Sequence, residues 1–364
     1  MTSWTLTVDR SDISRTRLTE TPVPEVGPGQ ALLRPDRVGV TANNVTYAVL
    51  GRSFRYWDFF PTDEGQGIVP LWGFADVVES QVEGVAVGSR VYGYLPCAGH
   101  LLVEPGRVDE RGFRDASAHR AVLPSPYNAY ALTTGDAAYD AEKEDLQVLY
   151  RPLFFTSWML ADWLVDSDLR GAQAVLLSSA SSKTSYGTAF ELKRLGQRVI
   201  GATSERNRAF TESLGCYDSV VTYDALDQLD DGVSVVYADV AGDADLTKAL
   251  RDRLGKALVA HTVVGVTHQQ PAAAGTLAET GASTFFAPDQ MVKRQGDWGR
   301  EGLDERFAAA WQAFSPVVAG WVDVDVRSGP EGLERAWLEV QSGRTAPRAG
   351  HVITFPSGDG DSTP

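Results

Sequence analysis

The chain has 364 residues, 43% of them hydrophobic and 10% aromatic, enough for proper cores and too many for one ordinary domain. A formal charge of −15 argues against nucleic acid or an anionic membrane surface as partner, and no apolar run approaches the ~20 residues of a membrane span. Two cysteines cannot make a disulfide framework and residues 1–12 carry no leader pattern, so a cytoplasmic protein is the expectation.

Up to about residue 135 the chain consists of short apolar runs broken by Gly and Pro, as in "GIVPLWGFADVVES" and "GVAVGSRVYGYLP", which predicts strands and turns. From about 146, "LQVLYRPLFFTSWMLADWLVD" is apolar with a helical recurrence. Six strand candidates follow: "AVLLSSA", "RVIGATS", "SVVTY", "VSVVYADVAG", "ALVAHTVVGVTH" and "STFFAPD". Helix-like stretches at 186–196 and 206–215, each closing on Leu-Gly, separate the first three. Strands alternating with helices predict βαβ units, hence a parallel sheet with both faces covered. The last part, "GLERAWLEVQSGRTAPRAGHVITFP", predicts one helix, a turn and one strand. The fold class is therefore α/β. A Rossmann-type doubly wound parallel sheet is expected over 146–290, and a discontinuous β-rich domain is built from 1–145 and the returning 291–364.

The first strand of the parallel module runs into "SSASSKTS", and an amphipathic helix follows. A turn at this place ordinarily holds a dinucleotide phosphate and is rich in glycine. Serine is small, keeps its backbone N–H and adds a hydroxyl donor. Lys183 sets a cation where the helix dipole already favours an anion. Ser181, Ser182, Lys183 and Thr184 are thus candidate phosphate ligands, the alternative being a solvated polar turn with no ligand. The second strand ends in "GATSERNR", with no acid at its corner to accept from a ribose 2′-hydroxyl. Ser204 and Arg206 suit a 2′-phosphate instead, which favours NADP(H) over NAD(H). The alternative leaves Arg206 and Arg208 as ornament on an exposed helix start.

This order of modules resembles the medium-chain dehydrogenase/reductase superfamily, in its zinc-independent quinone-oxidoreductase branch. "GVAVGSRVYGYL", "LGQRVIGATSERN", "SVVTY" and "ADVAG" carry the resemblance, with Ser89 standing where the superfamily turn has an acid. "SSASSKT" and "DASAHRAVLPSPYNAY" are similar to the DUF2855 group, from which no activity can be transferred. The resemblance implies a GroES-like fold for the β-rich domain. It places the usual loop glycines at Ser179, Ser182, Lys183 and Ser185, and brings Asn207 and Tyr223 to the cofactor. The nicotinamide is expected to extend along the strand ends toward Val240 and Gly265. Homodimers are implied as well, with "ALVAHTVVGV" and "STFFAP" as edge candidates.

Zinc-dependent relatives need cysteine and histidine ligands that two cysteines and five dispersed histidines cannot assemble, so no metal is expected. His119 and His268 are expected to be structural. "TANNVTYAVLGRSFRYWDFFP" (41–61) resembles the superfamily's active-site turn. Asn43 matches its asparagine and Thr46 stands where an aspartate is common. Tyr56 lies near the place where some enoyl reductases keep a tyrosine proton donor, and Tyr47 is a second hydroxyl candidate. The implied activity is NADP(H)-dependent reduction of a conjugated carbonyl in a small molecule: an enone, an enoyl group or a quinone-like compound. Phe74, where relatives often carry Glu, departs from the pattern. In the alternative, Tyr47, Tyr56, Trp57, Phe59 and Phe60 are core packing, in a protein that binds NADP(H) or an aromatic ligand without catalysis or acts without redox change.

Overall fold

The computed structural model describes residues 2–264 and 282–355, which form two compact units, Met1–Leu149 with Val322–Pro364 and Tyr150–Trp321. The first unit opens with a hairpin, β1 (Thr2–Asp9) and β2 (Asp12–Pro22), closed on its other side by β4 (Gln66–Gly67). Between them lie β3 (Ala31–Val40) and α1 (Ala42–Val49). There follow β5 (Pro70–Ser80), β6 (Arg90–Pro96), β7 (Leu101–Val103), β8 (Pro105–Asp109), β9 (Gly112–Asp115) and β10 (Ala129–Leu132). Alternation is clearest where one face is buried: Leu33, Val77, Val91 and Leu95 lie in one core with the aromatic residues of α1 and the turn after it.

Helix α2 (Glu144–Asp166) carries the chain into the second unit. There β11 (Ala174–Leu177), α3 (Lys183–Arg194), β12 (Val199–Thr203), α4 (Arg208–Ser213), β13 (Ser219–Thr222), β14 (Val235–Asp239), α5 (Ala244–Leu254), β15 (Leu258–Val264) and β16 (Ser283–Phe285) alternate. The six strands form one sheet in the order β13-β12-β11-β14-β15-β16, and every pair in it is parallel. All residues of β11, β12 and β14 are buried, the continuous apolar run of a sheet covered on both faces. Strand order reverses between β11 and β14, so the crevice at their carboxyl ends is the topological switch point. Helix α3 begins at Lys183, three residues before the predicted 186, because Ser182 caps it by accepting from the Ser185 N–H. It lies so close on α2 that a Cβ at Gly187 would stand 2.7 Å from Ser157 Oγ. Helix α6 (Ala287–Val318), broken at Gly299, completes this unit: Phe314 stacks on Phe154 of α2 at 4.2 Å. The sequence texture puts the return to the β-rich domain at 291, whereas this aromatic packing keeps the chain in the second unit to Trp321.

The chain returns to the first unit through β17 (Asp323–Ser328), α7 (Gly329–Gln341) and β18 (Ala349–Thr354). β18 pairs with β3 in the nine-stranded sheet of this unit, as the β-rich reading of the C-terminus requires. β17, which the sequence reading passes over, pairs only with β18; its "DVDVRS" leaves Val324 and Val326 exposed, so burial gave it no apolar signature. No helix among the described residues is long and apolar enough to cross a membrane.

Candidate functional site

The turn after β11 leads from the sheet into α3. Ser179 sits at φ 49°, the left-handed conformation that glycine ordinarily supplies, and its N–H donates to the Tyr223 phenol oxygen at 2.9 Å. Ala180 offers its carbonyl to the Tyr217 hydroxyl at 2.8 Å. Gly201 of β12 makes room for that ring: a Cβ there would come within 2.9 Å of it and 3.0 Å of Ala180. Asn207 donates from its amide to Ser181 Oγ at 3.0 Å, joining the turn after β12 to the turn after β11. Ser185, where the resemblance puts a glycine, is wholly buried and donates to the Ser178 carbonyl at 2.7 Å. The Ser185 hydroxyl thus ties the first turn of α3 to the end of β11.

The predicted cofactor residues of the second unit converge. Ser181, Ser182, Lys183 and Thr184 open α3, and Ser204 to Asn207 follow the adjacent strand. Arg206 is exposed, while Arg208 is engaged by Glu212 at 2.9 Å. Lys183 lies with its ammonium 5.5 Å from the centre of the Tyr150 ring, and burial lowers its pKa to about 8. Tyr223 touches the loop through its hydroxyl, which accepts from the Ser179 N–H. Val240 presents its N–H to Ser178 Oγ at 3.0 Å. Gly265 and His268 lie outside the described residues. The edge expectation needs one correction: β15 is flanked by β14 and β16, so of the two named segments only Ser283–Phe285 ends the sheet.

In the first unit Asn43, Tyr47 and Tyr56 also come together. The Asn43 amide donates to the Tyr47 hydroxyl at 2.7 Å, and the Trp72 indole donates to the same oxygen at 2.9 Å. The Tyr47 and Tyr56 rings are 4.7 Å apart, and the Tyr56 hydroxyl meets that of Tyr127 at 3.4 Å. Tyr94, fully buried, packs edge-on against Tyr47 at 5.4 Å. Burial raises the pKa of Tyr47 and of Tyr56 despite the donors they face, so both phenols hold their protons at neutral pH. Thr46 is exposed and bonds back to the Ala42 carbonyl at 3.4 Å. Beneath the cluster the buried guanidinium of Arg120 pairs with Asp115 at 3.1 Å and lies over Phe60 at 4.8 Å. His119 sits 3.3 Å from the Phe59 carbonyl oxygen.

Sequence reasoning missed Trp72, Tyr94, Tyr127, Ser178 and Tyr217. The "ADVAG" match did hold a usable signal for a sixth residue, Asp239, whose carboxylate accepts from Ser178 Oγ at 3.0 Å.

A six-stranded parallel sheet with a serine-rich loop at its switch point, and a separate, mostly antiparallel β-rich unit, make the fold of solved quinone oxidoreductases. Solved structures of that fold align over nearly the whole chain. CurA from Vibrio vulnificus in complex with NADPH is 13% identical, covers 97% of this chain and 99% of its own, and gives a TM-score of 0.62. The quinone oxidoreductase from Pseudomonas syringae is 16% identical over 97% and 99% with a TM-score of 0.58, and that from Coxiella burnetii 15% over 98% and 100% with 0.55. The chain itself belongs to the family described as "Protein of unknown function (DUF2855)", whose model matches residues 38–346. No curated protein matches its sequence.

Proposed function

We propose that the chain is an NADP(H)-dependent oxidoreductase that reduces a conjugated carbonyl, an enone, enoyl or quinone-like small molecule, without zinc. The observation that carries this reading is the Ser179 turn. A left-handed serine, tied to Tyr223 and adjoining a Ser181 held by Asn207, keeps a phosphate-loop backbone at the switch point where open parallel sheets take their ligands. The donor set fits a dinucleotide. Hydroxyls of Ser181 and Thr184, the first turn of α3 and the Lys183 ammonium suit the pyrophosphate, and the exposed Arg206 beside Ser204 suits a 2′-phosphate. When bound, the reduced cofactor supplies hydride to the substrate's conjugated carbon.

Charge then builds on the carbonyl oxygen, and the resulting enolate needs a proton. Tyr56 gives up its phenol proton, which burial otherwise holds in place; the Tyr127 hydroxyl at 3.4 Å can donate to the phenolate left behind, which regains a proton from solvent before the next turnover. Asn43 and Trp72 fix the neighbouring Tyr47, which is the second candidate donor. The reading extends to a cytoplasmic protein and to a homodimer joined through β16, the last strand of the sheet among the described residues. It is tested by thermal-shift titration with NADPH and NADH, followed by NADPH oxidation against a panel of enones and quinones. NADPH stabilising the fold, with turnover on at least one acceptor, supports it. Stabilisation without any turnover supports a binding protein instead.

A further inference from the structure

The turn after β14 offers less free backbone than its place at the switch point suggests. Ser178 is wholly buried at the end of β11, and its hydroxyl does three things at once. It donates to Asp239 Oδ1 at 3.0 Å and accepts from the N–H groups of Val240 and Ala241, both at 3.0 Å. Asp239 Oδ1 also accepts from the Gly242 N–H at 2.9 Å, and its Oδ2 from the Thr247 hydroxyl at 3.4 Å. Three successive amides of the 240–242 turn therefore point inward.

The carboxylate is braced from its far side. His261, stacked on Tyr237 with ring centres 4.9 Å apart, brings Nε2 to 3.9 Å of Asp239 Oδ2, and its Nδ1 lies 3.1 Å from Arg251 Nη2. Burial alone would raise the Asp239 carboxyl, but the nearby His261 and the bonds donated by the Gly242 N–H and the Ser178 hydroxyl hold it below the ordinary carboxylate range. It is an ionised acceptor, and charge-assisted bonds of this kind are the stronger ones.

We propose that Ser178 and Asp239 form a clasp across the switch point that fixes the 240–242 turn against the serine loop, making both residues positioning groups for the nicotinamide half of the cofactor. The inference rests on the NADP(H) reading. The adenosine half needs only the loop 179–184 and the turn 204–208, which Tyr223, Tyr217 and Asn207 hold independently of the clasp. The rest of a dinucleotide has to pass the 240–242 turn on the other side of the β11–β14 boundary. Without the clasp that turn relaxes, its amides seek new acceptors, and the preorganised surface for the second half of the ligand is lost.

The experiment separates the halves by calorimetric titration of the full chain with NADPH and with adenosine 2′,5′-bisphosphate. Ser178→Ala and Asp239→Asn are each compared with the wild type, so that one variant suffices should the other fail to fold. The expected result is an NADPH dissociation constant raised at least tenfold, with that of the bisphosphate within twofold of the wild type. A general loss of structure would weaken both ligands in parallel, and that outcome overturns the clasp, as does unchanged NADPH affinity. A wild type that binds neither ligand refutes the NADP(H) reading itself, and the clasp with it.

Discussion

Asn43 and Tyr47 stand one helical turn apart on α1, and the amide of the first donates to the phenol oxygen of the second at 2.7 Å. The i, i+4 spacing makes them neighbours on one face, and Trp72 from β5 closes on the same oxygen. Tyr47 is thereby a double acceptor with its ring fixed, whereas the Tyr56 hydroxyl makes a longer contact, at 3.4 Å, with that of Tyr127. Burial opposes ionisation of both phenols, and more strongly at the wholly enclosed Tyr47 than at Tyr56.

That difference sets the first expectation. Tyr56→Phe should lower turnover at least ~10-fold while leaving NADPH affinity within about twofold, the signature of a group used mainly in the transition state. Steady-state kinetics on an accepted enone or quinone, with a separate cofactor titration, measures it. Unchanged turnover in Tyr56→Phe and a loss in Tyr47→Phe would transfer the donor role to Tyr47.

Arg206 is exposed beside Ser204, whereas Arg208 is already engaged by Glu212. Arg206→Ala should therefore weaken NADPH by ~1–3 kcal/mol and leave NADH nearly untouched. Equal losses for the two cofactors would remove Arg206 from the 2′-phosphate.

Lys183 adds a pH dependence. Burial sets its pKa at about 8, so it is charged below that pH and increasingly neutral above it. A bound phosphate favours the charged form, so NADPH affinity should fall as pH rises above 8, by up to about tenfold per pH unit. Lys183→Arg, charged throughout, should flatten the profile. Folding carries the opposite sign. Between pH 8 and the ordinary lysine pKa the unfolded chain binds more protons, so wild-type stability should gain with rising pH relative to Lys183→Met. Denaturant titrations at about pH 7.5 and about pH 10.5, on either side of that window, check it.

The buried pair beneath the tyrosine cluster is a stability element. Asp115 and Arg120 are both almost fully enclosed, and Asp115 also accepts from the Glu104 and Ser117 amides. Asp115→Ala leaves a guanidinium without its counter-charge, and urea unfolding should show a loss of about 3–5 kcal/mol. A loss below about 1 kcal/mol would mean that water or another acceptor reaches Arg120.

The sequence by itself determined the strand-helix alternation, because period and punctuation are local: "AVLL", "VIGAT" and "VVYAD" became the buried centre of a parallel sheet. It also showed a turn of small hydroxyl residues and one lysine after the first of these strands, since residue size and donor type are written in the chain. Tertiary structure alone decided what those side chains do. Ser178 and Asp239 are 61 residues apart, as Ser181 and Asn207 are 26, and only the pairing of β11 with its two neighbours brings each pair into bonding distance. Likewise Trp72 and Tyr127 reach the tyrosines of the 41–61 segment through sheet packing that no local spacing encodes. β17 stayed hidden for the same reason in reverse: an edge strand is defined by its partner, and its own alternation of acid and valine carries no mark of burial.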